Sequence, residues 1–184
     1  MSEAHVHVDP SNKKVALFIA VRALVLAFSE TLGKAAQTNG LASHIEASNL
    51  WSFFQAKTIR QTTVRTAAEE MEAQFGQKAP EAVKRQVEGW KKTAERYQSE
   101  PETNEGRKEL MARAKEMEKK RDRAMAAYHN YEIASAAVQI AIVLASAQII
   151  TGVAALLWIA YALGAIGVAF SLIGFFWPTA VHLF

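Results

Sequence analysis

After Glu132 the chain contains no Lys, Arg, Asp or Glu, down to the last residue, Phe184. As one helix rising about 1.5 Å per residue, Ile133 to Trp177 would measure roughly 67 Å, about twice the thickness of a hydrocarbon core of about 30 Å. Folded back once near Thr151-Gly152, the run becomes two spans of about 20 residues each, 133–151 and 154–177, with 178–184 as a short tail. The expectation is an integral membrane protein ending in a helical hairpin.

The whole-chain mean hydropathy of zero hides this, because two opposite parts cancel. Residues 35–132 hold 17 of the 21 Lys and Arg and 15 of the 18 Asp and Glu. That stretch is dense in charge but nearly balanced, so the pI near 9.2 does not signal a nucleic-acid patch. On the last helix of the stretch Glu116, Glu118 and Asp122 interleave with Lys119, Lys120, Arg121 and Arg123. Cysteine is absent, which excludes disulfides, thiolate metal sites and cysteine nucleophiles.

Residues 1–14 are polar without an apolar period and are expected to form a disordered tail. Residues 15–34 supply the first span, interrupted by Arg22. A charge seven residues inside the apolar run, with no small-residue cleavage site after it, argues against a signal peptide. Asn39-Gly40 is expected to break the helix. Residues 35–132 then read as an extramembrane helical domain, a hairpin or coiled coil with helices over about 41–75, 80–98 and 107–132. Phe53, Ala56, Val64, Ala67, Ala68, Met71 and Phe75 mark the buried face of the first. Gly76 suits its C-terminus, and Pro80 the first turn of the next. Val83, Val87, Trp90 and Tyr97 form a thin stripe on the second helix. Leu110, Ala114, Met117, Ala124 and Tyr128 form a seam on the third, which runs on into the second span. The fold class is therefore all-α: three transmembrane helices, with the helical domain between the first and second.

Both C-terminal spans carry small residues along one face. Ala137, Ala141 and Ala145 lie on the second span, and Ala160, Gly164, Gly167, Ser171 and Gly174 on the third. Lipid tails solvate leucine as well as a helix does, so pairing in lipid needs close backbone approach. The stripes predict a tight contact, within the hairpin or between subunits. Trp158 and Trp177 stand about 28 Å apart along a helix, suiting an aromatic anchor at each interface. An arginine inside a span costs at least about 2.5 kcal/mol. At matched depth its polar partners are Gln148 or Tyr161, which makes Arg22 a packing contact rather than an ion path. At the other end Glu30 and Lys34 are spaced as an ion pair.

No motif for catalysis or cofactor binding stands out, and neither enzymatic activity nor a cofactor or metal is expected. His5 and His7 make only two ligands. His129 with Glu132 reads as a surface pair, since the paired motif of di-metal bundles has the reverse order and a second copy.

The run from Ile45 to Arg60, IEASNLWSFFQAKTIR, resembles the signature of a bacterial membrane family known as domain of unknown function 4337 (DUF4337). The approach QIAIVLAS from Gln139 to Ser146 is similar too, as is the histidine-bearing tail. The resemblance covers essentially the whole chain. It implies three spans, a helical extramembrane domain and no established activity, with no catalytic residues to carry over. Relatives often have a basic turn between the second and third spans, whereas Ile150-Thr151-Gly152-Val153 is uncharged. Within the signature Trp51, Phe53, Phe54 and Gln55 form either an aromatic core between helices or a contact for a partner or another subunit.

Lys13 and Lys14 favour an inside N-terminus, whereas the basic residues before the second span argue the other way but belong to a loop too long for the rule; the expectation is a helical domain outside the cytoplasm of the bacterial inner membrane. The functional expectation is a membrane-anchored structural or interaction protein, self-associating or an accessory subunit of a larger membrane complex, with the lipid bilayer as its first partner. The competing expectation is an oligomeric channel or transporter with Arg22, Gln139, Gln148 and Ser171 lining a path.

Overall fold

The computed structural model describes residues 10–181. Its order is α1 (Pro10–Phe75), a 3-10 turn (Gly76–Lys78), α2 (Glu81–Gln98), α3 (Arg107–Thr151) and α4 (Ala154–Phe176), and no strand occurs among the described residues. Three helices, α1, α3 and α4, are long and apolar enough to cross a membrane. His5, His7 and His182 lie outside the described residues.

Two expected boundaries move. Helix α1 starts at Pro10, inside the stretch read as a disordered tail, and continues unbroken through Asn39-Gly40. Proline suits a first helical position because its missing N–H has no intrahelical partner there. Gly40 serves contact instead of breaking the helix: a Cβ there would lie 2.8 Å from the Met125 sulfur. The expected stops at Gly76 and Gly152 hold. Both sit in the left-handed region, φ +53° and +73°, which side-chain-bearing residues rarely adopt. Gly152 lets the chain leave α3 and enter α4 within two residues.

The chain divides into two compact units, one formed by residues up to Gly40 with those from Asp122 onward, the other by Leu41–Arg121. Helices α1 and α3 contribute to both.

In the first unit Val15, Ala141, Ala145 and Ala160 form a buried cluster, with Phe18, Ile19, Leu144, Leu157 and Leu163 packed on it. The small-residue stripes are spent inside the chain. Ala137, Ala141, Ala145, Ala160, Gly164, Gly167 and Gly174 are all buried, and Ser171 is half-buried. A Cβ on Gly167 would lie 2.4 Å from Val138 and 3.0 Å from the Ala134 carbonyl. One on Gly174 would lie 3.2 Å from Asn130 and Tyr131. Helix α4 therefore touches α3 backbone to backbone, the approach small residues permit. The outward faces are large and apolar: Leu24, Phe28, Val143, Ile150, Trp158 and Phe175 are all exposed.

In the second unit α1 and α3 pack around Leu50, Leu110 and Ala114, with Trp51, Phe54 and Met117 against them. The buried face of α1 agrees with the one expected at Val64, Ala67, Ala68 and Met71 and differs from it elsewhere. Phe53, Ala56 and Phe75 are exposed, whereas Lys57 and Gln61 are buried. The inward positions Leu50, Phe54, Lys57, Gln61, Val64, Ala68 and Met71 alternate steps of 4 and 3, and that strict period overrides hydrophobicity at the two polar sites. On α2 Val87 and Ala94 are the buried residues. Gly89 on the same helix is exposed, with nothing within 4 Å of an added Cβ. Gly89→Ala is therefore expected to stabilise the protein by about 0.5–1 kcal/mol, because glycine loses the most backbone freedom in a helix. Chemical denaturation with circular dichroism checks this, and an unchanged or lowered midpoint contradicts it.

Candidate functional site

The polar side chains of the first unit stand at three successive levels. Deepest is Arg22. Its Nη1 donates to the Gly164 carbonyl at 2.6 Å, and its guanidinium carbon lies 5.0 Å from the Phe18 ring centre. A Cβ on Gly164 would meet the guanidinium at 2.7–3.0 Å, so the glycine opens the shelf on which the arginine lies. The partner is thus a backbone carbonyl, and neither Gln148 nor Tyr161 takes that role. Tyr161 stacks edge-on to Phe18, ring centres 4.8 Å apart, while the Gln148 side-chain oxygen is buried without a hydrogen bond. Matched depth along the helices pairs side chains only. A helical carbonyl keeps a second lone pair, which becomes reachable only where no Cβ covers it.

At the next level the Ser29 and Ser171 hydroxyls are 2.8 Å apart, and Ser171 also donates to the Gly167 carbonyl at 2.8 Å. With the Ser171 proton committed there, Ser29 is the donor between the two.

At the third level Gln139 donates to Glu30 at 3.0 Å. Among the described residues Lys34 makes no ion pair with Glu30, contrary to the helix-spacing expectation: the amide on α3 takes the carboxylate instead. These groups line a 460 Å³ groove between α1 and α3. Ser29, Glu30, Gly33, Lys34 and Gln37 line one wall, and Tyr128, Tyr131, Glu132, Ser135 and Gln139 line the other. The Tyr128 hydroxyl donates to Glu132 at 3.3 Å, and His129 Nδ1 lies 3.7 Å from the same carboxylate. The charge of Glu132 pushes the Tyr128 phenol above its ordinary range.

The second unit has a polar hub that the sequence reading missed. Lys57 is 6% exposed, pairs with Glu100 at 3.4 Å and Glu105 at 3.9 Å, and faces the rings of Tyr97 (5.3 Å) and Phe53 (5.5 Å). Arg107 covers the Phe54 ring at 5.0 Å, donates to Thr58 at 2.9 Å and Gln98 at 3.0 Å, and also bonds Gln61. Gln61 in turn donates to the Ala94 carbonyl at 2.9 Å. Buried charge is held here by pairing and ring contacts, as desolvation requires. Of the aromatic signature, Trp51 and Phe54 pack edge-on at 5.4 Å in the core, and Trp51 donates to Glu118 at 2.9 Å. Phe53 and Gln55 remain exposed.

The loop entering α3 is clasped by Glu109, which accepts from the Ser99 hydroxyl at 2.6 Å and the Glu100 amide at 3.1 Å. The Ser99 hydrogen bond first, then the Glu100 amide, hold its carboxyl below the ordinary range against an opposing desolvation. A lowered folded-state value means that the clasp stabilises fully above the unfolded value of about 4.3 and weakens as pH falls through the folded one. Carboxyl NMR is expected to place the Glu109 midpoint below that of a free Glu, with Ser99→Ala raising it. A Glu109 midpoint unmoved by Ser99→Ala contradicts the assignment.

An all-helical chain with three helices fit to cross a membrane, polar contacts turned inward between them, and its charge gathered in one helical unit defines a class of architecture before any name. The chain belongs to the family described as domain of unknown function (DUF4337), whose model matches residues 11–177. No curated protein and no solved structure matches it.

Proposed function

We propose that the protein is a membrane-anchored structural or interaction protein, self-associating or an accessory subunit of a membrane complex, with the apolar parts of α1, α3 and α4 spanning a bilayer. The observation that carries this reading is the inverted polarity of the first unit. Arg22, Ser29 and Ser171 turn inward onto partners within the chain, while Leu24, Phe28, Val143 and Trp158 face outward. Hydrocarbon favours that arrangement and water does not. An interaction role draws support from α1 in the second unit, where the large apolar side chains Leu41, Ile45 and Ile59 are exposed. The channel reading has less support: Arg22, Gln139 and Ser171, three of its four lining residues, already spend hydrogen bonds inside the chain.

The bilayer is the bacterial inner membrane, with the coiled-coil-like second unit outside the cytoplasm; a reporter fused at Asn104 tests the side. Native mass measurement in mild detergent tests the function. Multiples of the 20.3 kDa chain, or a stoichiometric companion, support it. A lone chain at all concentrations, with no companion captured from its native membrane, overturns it.

A further inference from the structure

The groove of the first unit lies where hydrocarbon gives way to headgroups on the reading above, on which this inference rests. The apolar run of α1 ends at Leu32, and that of α3 begins at Ile133. The two ends are level, because a Cβ on Gly33 would sit 3.2 Å from the Tyr131 Cβ. Below the groove Phe28 and Ile140 are exposed and offer apolar surface for acyl chains. At its rim stand two carboxylates, Glu30 and Glu132, and one ammonium, Lys34.

We propose that this groove binds the headgroup of an aminophospholipid, phosphatidylethanolamine. Its primary ammonium donates N–H bonds to Glu30 and Glu132, and its phosphate accepts from Lys34. Glu30 has one oxygen engaged, by Gln139, while Glu132 accepts from Tyr128 on one oxygen and has His129 3.7 Å from the other; each carboxylate keeps lone pairs for another donor. Lys34 is exposed, lines the same groove and, among the described residues, forms no ion pair. The charge pattern selects among lipids. Phosphatidylcholine carries a quaternary ammonium with no N–H to donate. Phosphatidylglycerol brings a net negative charge to a rim holding two carboxylates against one lysine. The volume of 460 Å³ accommodates a headgroup, which is smaller than a drug-sized ligand.

The test uses the full chain, purified in mild detergent and mixed with equal amounts of the three lipids, with retained lipid counted by native mass spectrometry. Phosphatidylethanolamine is expected to be retained about tenfold over the other two, the discrimination of one charge-assisted hydrogen bond. Glu30→Gln with Glu132→Gln, and separately Lys34→Met, are expected to reduce that preference to near parity. Soluble phosphoethanolamine at millimolar concentration distinguishes the sources: competition that displaces the lipid assigns the affinity to the headgroup alone, whereas no displacement shows that acyl contacts are needed too. Equal retention of the three lipids, a preference for phosphatidylglycerol, or an unchanged preference in both variants overturns the proposal. Should the variants fail to fold, the wild-type ratio decides by itself. A chain that stays monodisperse without detergent overturns the membrane reading and this site with it; one that needs detergent but retains lipids unselectively overturns this site alone.

Discussion

Leu110→Ala is expected to destabilise the protein by about 2–5 kcal/mol. Leu110 is 0% exposed, among the largest fully buried side chains, and sits at the centre of the cluster joining α1 and α3 in the second unit. Truncation loses the transfer energy of the removed carbons and leaves a void, because its neighbours have little room to follow. Ala114 is too small to fill it. Trp51 is tied to Glu118 at 2.9 Å, and Phe54 lies under the Arg107 guanidinium. Collapse into the void would therefore break polar contacts as well. Leu110→Met keeps most of the volume and is expected to lose less than about 1.5 kcal/mol. Denaturant unfolding followed by tryptophan fluorescence measures both, since Trp51 borders the site. A loss for Leu110→Ala below that for Leu110→Met would remove this cluster as the core of the unit.

Gly167→Val is expected to cost about 1–3 kcal/mol and to push α4 away from α3. The obstacle on one side is the Ala134 carbonyl, 3.0 Å from where the Cβ would stand, and helix backbone cannot swing aside as a side chain can. Val138 closes the other side at 2.4 Å. Gly164 makes a useful contrast, because its neighbour is the end of the flexible Arg22 side chain. Gly164→Ala is accordingly expected to cost less than Gly167→Val. Ala162→Val, at an exposed position of the same helix, is expected to stay within about 0.5 kcal/mol of the parent. Thermal unfolding in detergent gives the order. The chain lacks cysteine, so a cysteine pair placed across the α3–α4 contact also reports separation through its disulfide yield. Equal stability of Gly167→Val and Ala162→Val would mean that α4 does not pack as described.

Legibility in the sequence follows the range of the interaction. The three apolar stretches, the reversal at Gly152 and the stop at Gly76 depend on composition and on one residue's backbone freedom, and all are plain from the chain. The small residues of α4 announce a close contact for the same reason: only a neighbouring backbone makes use of a missing side chain. Asn39-Gly40 misleads, because a glycine that ends a helix and one that admits a neighbour look alike in one dimension.

By itself, then, the sequence determined which stretches suit hydrocarbon, where the chain turns back, and which face of α4 is closely packed, since each follows from local chemistry. Only the tertiary structure decided the partners: Arg22 with a carbonyl, Glu30 with Gln139, and Lys57 and Gln61 in place of Phe53 and Ala56 on the buried face. Which lone pair lies within 3 Å of which proton depends on the register between helices far apart in the chain. Register is a property of packed surfaces together, which no single segment encodes.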